Sequence, residues 1–414
     1  MSEVSELAER AWAGELGKLN LHPGSVLVGL EEFETGMAFM SAFSNVAVLE
    51  TEEGLVFIDT SSPFHAKKLH ECVRAWSAQP LHTAIYTHGH IDHVFGVAAF
   101  EAEREAPVRV IAHQACPERF DRYRLTNGYN GIINMRQFGF PEPRFPKDFR
   151  YPDETMGNQR VLEVGGERIE LYHDRGETDD HIWAWLPARK TIYTGDLFIW
   201  AAPNCGNPQK VQRYPREWAL ALRKMERLDA ERLFPGHGPP IIGAPRVQRA
   251  LSESAELLEI LVDQTLALMN EGARLNDILH AVKIPEHLLV RPYLRPIYDD
   301  PLFIVRNLWR LYGGWYDGDP AHLKPARDRD LAEAVADLCG GSHALADRAQ
   351  ELGQRGELAV ACQLVEFAWR SDPADAGIGA IRSALYRQRA EAESSLMAKG
   401  IFGAAARDSE PADA

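Results

Sequence analysis

The chain has 414 residues, an ordinary globular composition and a formal charge of −15, which leaves room for two domains and excludes the basic face that broad nucleic-acid binding requires. Its five cysteines show no CxxC spacing, so neither a disulfide framework nor a zinc ribbon is indicated. No apolar run is long enough to span a membrane, and Glu3, Glu6 and Glu9 stand where a secretion leader would be basic and then apolar; the expectation is a cytoplasmic protein with no membrane partner.

Residues 1–20 read as an amphipathic helical lead-in, followed by short apolar runs at 26–30, 37–43, 46–49 and 55–58, with a hairpin turn at 50–54. Residue Asp59 closes the last of these strands, 63–78 is helical, and 81–86 is a further strand. There the chain reads Thr87-His88-Gly89-His90-Ile91-Asp92-His93 before a helix over 94–105 and a strand over 108–112. Three imidazoles and a carboxylate in so short a strand-to-helix turn are too many for an ordinary core, and both groups are zinc ligand types. The order of elements implies a sheet covered by helices. Residues 114–160 are less regular and read as a long loop or insertion.

Strands resume at 161–164, 169–173, 182–186 and 191–193. Residue Glu177 lies between the second and third of these, Asp196 follows the fourth, and Pro235-Gly236-His237-Gly238 is a tight turn after a strand over 232–234. Four turns at strand ends thus offer His88, His90, Asp92, His93, Glu177, Asp196 and His237 as metal-type donors. Two ions with one shared carboxylate would use all seven, and a hydroxide bridging them is a nucleophile at neutral pH. The reaction class is metal-assisted hydrolysis, with Asp92 and Asp196 as the candidate catalytic carboxylates. Beyond Pro245 the pattern is helical almost throughout, and the Gly353–Gly356 break suggests a tetratricopeptide-type hairpin.

The Thr87–His93 motif, followed by Gly195-Asp196 and the His237 turn, resembles the metallo-β-lactamase superfamily. That resemblance implies an α/β fold, an αββα sandwich with metals at one edge. A glutamate at 177, together with Arg291-Pro292-Tyr293-Leu294, Val305-Arg306-Asn307 and the run from Tyr312 to Leu323, resembles the alkylsulfatase branch and its all-α dimerisation domain. The implied layout is a catalytic domain over 1–244, a helical dimerisation domain over 245–402 and a disordered tail over 403–414.

By that likeness His88, His90 and Glu177 hold one ion, Asp92, His93 and His237 hold the other, and Asp196 bridges. The cofactor expected is two Zn2+ per chain, with Mn2+ or Fe2+ as alternatives because Glu177 makes one site richer in oxygen. Residue Asp196 departs from the branch, which bridges with glutamate, and the sequence after about 402 leaves no expectation of the branch's sterol-carrier-like domain. Asp59 is read as orienting a ligating imidazole or as a strand-end cap, His181 as a hydrogen-bonding residue, and His113 and His173 as structural. Asn204 and Arg213, near Lys210, fall where the likeness places contacts to the substrate anion.

The expected activity is hydrolysis of an ester, foremost a sulfate monoester of an alkyl or related alcohol, by a homodimer acting on a small anionic substrate. The alternatives are a lactone, thioester, phosphoester or β-lactam hydrolase on the same site, or a non-catalytic metal-bound scaffold.

Overall fold

A computed structural model describes residues 3–15 and 29–410. The expected lead-in helix forms over Glu3–Trp12, whereas residues 16–28, with most of the strand expected at 26–30, and residues 411–414 lie outside the described part.

Among the described residues the strands form two sheets. The first runs in order β1 (Gly29–Glu34), β2 (Met37–Ser41), β3 (Val46–Thr51), β4 (Gly54–Ile58), β5 (Leu81–Ile85), β6 (Arg109–His113) and β7 (Glu154–Met156). The second holds β8 (Gln159–Val164), β9 (Glu167–His173), β10 (Ile182–Leu186), β11 (Thr191–Ile199), β12 (Arg232–His237) and β13 (Ile241–Ile242), in order from one edge to the other. Strands β2, β4, β10 and β11 are buried along their whole length; the first three are nearly unbroken apolar runs, as cover on both faces requires, whereas β11 carries Thr194, Gly195 and Asp196.

The sheets pack face to face. Residues Phe39, Leu49, Val56, Ile85 and Ile111 of the first meet Ile169, Leu171, Ile182, Tyr193 and Phe234 of the second in one core. The outer face of the second sheet is closed by the helices Pro215–Glu226 and Ala244–Asn270, through Trp218, Leu222, Val247, Leu251 and Leu258. Burying each such side chain contributes about 1.5–3 kcal/mol. The pairs β4–β5, β5–β6, β6–β7 and β11–β12 are parallel, so the turns after β4, β5, β11 and β12 open at carboxyl ends of strands, where α/β proteins build their sites. This is the expected αββα architecture.

Two compact units divide the chain differently from the cut at 244. One takes the residues up to Asn127 together with Pro146–Trp315; the other takes Gly128–Phe145 with the residues from Tyr316. The helix Ala244–Asn270 stays with the sheets because its apolar stripe is part of their core. Likewise, the stretch read as a loop holds two helices, Cys116–Leu125 and Asn127–Phe138. The second contains Asn127, Gly128, Asn130 and Gly131, weak helix formers whose state is set by packing; a Cβ on Gly131 would sit 3.1 Å from the Pro143 carbonyl carbon.

The second unit is helical. Its helices Ser342–Gln354 and Leu358–Ser371 form the hairpin expected at the glycine break, with Gly356 at φ +81°, and pack through Leu352, Ala361, Cys362, Val365 and Leu385. The last helix, Leu396–Arg407, runs past the point where the tail was expected to begin, and the ion pair between Arg387 and Glu410 tethers the chain beyond it.

Candidate metal centre

The turn after β5 is hung on Asp59. This residue follows β4 in a left-handed conformation, φ +61°, and its carboxylate accepts from the Thr87 amide at 2.7 Å and the Thr87 hydroxyl at 2.8 Å. It also pairs with His93 Nδ1 at 2.8 Å, which leaves Nε2 pointing inward. Residue His237 is oriented the same way, its Nδ1 donating to the Phe43 carbonyl. The orienting reading of Asp59 is the one the geometry supports.

All seven residues named from the sequence converge. Donor atoms of His88, His90, Glu177 and Asp196 lie within 4.8 Å of one another, as do those of Asp92, His93 and His237. Residue Asp196 stands between the groups: its Oδ1 is 3.3 Å from His93 Nε2, and its Oδ2 is 3.3 Å from His237 Nε2 and 3.8 Å from His88 Nε2. Two glycines make room for it. A Cβ on Gly236 would fall 2.1 Å from Asp196 Oδ1, and Gly195, at φ +50°, has Thr87 and His181 2.8 Å from where its Cβ would be.

Burial pushes His88 and His90 well below the ordinary imidazole value, so both are neutral and offer lone pairs. At His93 burial acts in the same direction, but Asp196 and Asp59 outweigh it and the pKa rises well above normal. Burial is likewise outweighed at His237, which Asp196 lifts to about 9. Residue Glu177 is pushed up to about 8 by burial against the pull of Arg213. Buried His93 Nε2, Asp196 Oδ1 and Glu177 Oε2 all lack a hydrogen-bond partner. Orphaned nitrogen and carboxylate atoms within these two donor groups fit divalent cations, which would satisfy all three.

The glutamate is held from its far side. Its Oε1 accepts from Arg213 at 2.6 Å and from the Asn204 amide, and Arg213 also donates to the Asn204 carbonyl. The two residues expected to meet a substrate anion are thus engaged with Glu177. Nearby Lys210 has no ion-pair partner among the described residues; burial and Arg213 lower its pKa to about 8, while Asp92 and Glu177 act the other way. Residue His181 accepts from the Asp196 amide at 3.1 Å, stacks on His88 and is held neutral by burial, its pKa about 3. It supports the centre and is not among its donors, as the sequence reading had it.

Residues Arg119 and Tyr298 escaped that reading. Buried Asp180 accepts from the Gly89 amide at 2.9 Å and pairs with buried Arg119 at 2.8 Å, pinning the histidine turn from behind. The Tyr298 hydroxyl lies in the field of Glu177, Asp92 and Asp196. Nothing in the local pattern around Arg119 or Tyr298 marks either one, since only the fold brings them near. Residues Phe198 and Trp200 belong to the core. His113 and His173 stack with ring centroids 3.7 Å apart.

Residues 42–237 match the metallo-β-lactamase superfamily and residues 274–411 match the alkyl sulfatase dimerisation family. Residues 42–237 thus form a metallo-β-lactamase-type domain. The chain is 26% identical over 358 residues to a linear primary-alkylsulfatase of a Pseudomonas species, covering 79% of this chain and 67% of that one. It is also 26% identical to an (R)-specific secondary-alkylsulfatase of Pseudomonas, over 82% of this chain and 56% of that one. The solved structure of a stereoselective inverting sec-alkylsulfatase from Pseudomonas superimposes with a TM-score of 0.83 at 22% identity, over 93% of this chain and 66% of that one. The chain therefore spans between half and two thirds of the length of the alkylsulfatases it matches. None of its described helices is long and apolar enough to cross a membrane.

Proposed function

We propose that this protein hydrolyses sulfate monoesters of alkyl or related alcohols, as a homodimer with two divalent ions per chain, zinc first among them. In this reading Asp92, His93 and His237 hold one ion, His88, His90 and Glu177 hold the other, and Asp196 serves both. Bound there, such ions supply Lewis acidity and lower the pKa of coordinated water from about 15.7 to about 7.

The chain's own residues do the rest. Asp59 and the Phe43 carbonyl fix which imidazole nitrogens face inward. Gly236 and Gly195 let Asp196 stand between the two groups. The observation that carries the sulfate reading is electrostatic. A chain with a net charge of −15 places Arg119, Lys210 and Arg213 close enough to His90 to lower its pKa. With Arg119 and Arg213 paired to carboxylates, Lys210 is the cation left to meet a substrate anion. A neutral lactone has no use for such a group.

The deciding experiment compares turnover of an alkyl sulfate, a lactone, a phosphodiester and a β-lactam by the metal-reconstituted protein. Sulfate release should dominate, and Lys210→Met should raise KM for the sulfate ester about tenfold or more, the loss of one charge-assisted contact. Absence of sulfate release, with turnover of one of the others, overturns the proposal. The homodimer is tested by light scattering at micromolar protein, where a monomer mass refutes it.

A further inference from the structure

We infer that Asn307, far along the chain from every candidate ligand, is a positioning residue for Glu177. The inference rests on the reading of Glu177 as a metal ligand. One oxygen of that carboxylate is taken by Arg213 and Asn204, while the other, Oε2, is buried without a partner. The orientation of Glu177 is therefore set by two side chains on the stretch from Asn204 to Arg213, which has no helix or strand of its own. No ladder of backbone hydrogen bonds fixes such a stretch, so its geometry has to come from side chains that reach it.

Asn307 supplies that geometry at both ends. It lies buried on the helix Pro301–Gly313. Its amide donates to the Cys205 carbonyl at 2.8 Å and to the Arg213 carbonyl at 2.9 Å. One contact thus lies next to Asn204 and the other on Arg213 itself. The Asn307 side-chain oxygen accepts from Gln212 at 2.9 Å and from Arg310 at 3.0 Å, so both donors and the acceptor of the amide are used. Arg310 donates in turn to Gln212 at 3.0 Å. The stretch is flush against the start of this helix: Asp299 accepts from the Gly206 amide, and a Cβ on Gly206 would lie 2.3 Å from the Ile304 nitrogen. A shift of either anchored carbonyl moves Arg213 or Asn204, and with them the oxygen that Glu177 turns to the centre. The helix that does this falls within the alkyl sulfatase dimerisation match, residues 274–411.

The test compares Asn307→Asp, Glu177→Gln and the double variant, in the full chain, by metal stoichiometry and by chelator competition for each ion. Asn307→Asp keeps the shape of the side chain and removes both donors. It should weaken one of the two ions by about 10- to 100-fold, the range for losing support of a ligand, and leave the other as in the unaltered protein. Metal-free thermal unfolding should shift little. Glu177→Gln should affect the same ion, and adding Asn307→Asp to it should weaken that ion no further. If Asn307→Asp does not fold, Gln212→Ala withdraws the Gln212 amide's contacts to Asn307 and to the Arg213 carbonyl and should weaken the same ion about threefold. Equal weakening of both ions, additive effects in the double variant, or unchanged affinity in the Asn307→Asp and Gln212→Ala proteins overturns the inference. If Glu177→Gln itself leaves both ions bound, it is the ligand reading of Glu177 that falls.

Discussion

His93 and His237 are oriented by what the sheets bring next to them, a carboxylate at the end of β4 and a backbone carbonyl just after β2. Glu177 is oriented by side chains from an irregular stretch that is itself tied, 94 and 102 positions further on, to a helix. One group of donors follows once the strands pair. The other needs a second layer of contacts before its carboxylate points anywhere in particular. Precision in the first comes from the fold, and in the second from buried polar side chains that must all be satisfied together.

Asp196 belongs to both groups, and its loss should show the largest effect. Asp196→Ala is expected to remove both ions and to cut turnover by about 10³-fold or more, consistent with several kcal/mol of lost stabilisation. Elemental analysis alongside turnover checks this, and retention of both ions would separate the groups completely. Next comes Gly236→Ala, whose methyl group would occupy the space of Asp196 Oδ1; a loss of about 10²-fold in turnover with the fold intact by circular dichroism is the expected outcome.

Asp59→Asn sharpens the contrast between the groups. It should weaken the ion held by His93 by about 10- to 100-fold while sparing the ion beside Glu177, the reverse of the pattern expected at Asn307. Titration of metal into each variant distinguishes the two, and equal weakening of both ions would erase the contrast. The smallest effect is on stability alone. Burial and the stacked His173 push the pKa of His113 down to about 4, so the folded protein holds this imidazole neutral where the unfolded chain would protonate it. Stability should therefore fall as the pH drops from about 6.5 to about 4, with a contribution on the order of 2 kcal/mol. His113→Gln should flatten that part of the stability curve, as measured by urea unfolding at pH 7, 6 and 5, while both ions stay bound at pH 7.

The asymmetry also explains what could be read in advance. The seven donors were visible because each stands at a strand end in a residue type seldom found there without a task, and Asp59 was visible for the same reason. Apolar runs alternating with helical periods implied a sheet covered by helices, and the αββα sandwich came from the resemblance to the metallo-β-lactamase superfamily. Arg119 and Tyr298 come near the donors through approaches that exist only after folding, and their local sequence is unremarkable; Asn307 stood out only as part of the alkylsulfatase likeness. Asn204 and Arg213 were named for a substrate anion because an arginine near a metal motif suggests one; the carboxylate they serve lies on a different turn. The helix Asn127–Phe138 was missed because its glycines and asparagines argue against a helix until tertiary contacts decide otherwise. The cut near 244 tracked a change in periodicity, whereas the compact unit continues through the helices that cover the second sheet.

The helical unit has a consequence for how the chain reaches its native state. Part of it, Gly128–Phe145, is made early, and the remainder begins only at Tyr316. The two meet closely, since Gly400 sits where a Cβ would lie 2.4 Å from the Gln137 carbonyl oxygen. The first unit contains no residue beyond Trp315 and can therefore assemble during synthesis. The second has to wait for nearly the whole chain and then close a loop containing residues 146–315. Closing a loop of that length costs only modestly more free energy than closing a short one, but contacts so distant in sequence form slowly. Until they form, the face that the early helix buries, Asn130, Gly131, Ile133, Asn134 and Gln137, stays open to water, so this segment is among the last to gain its native packing.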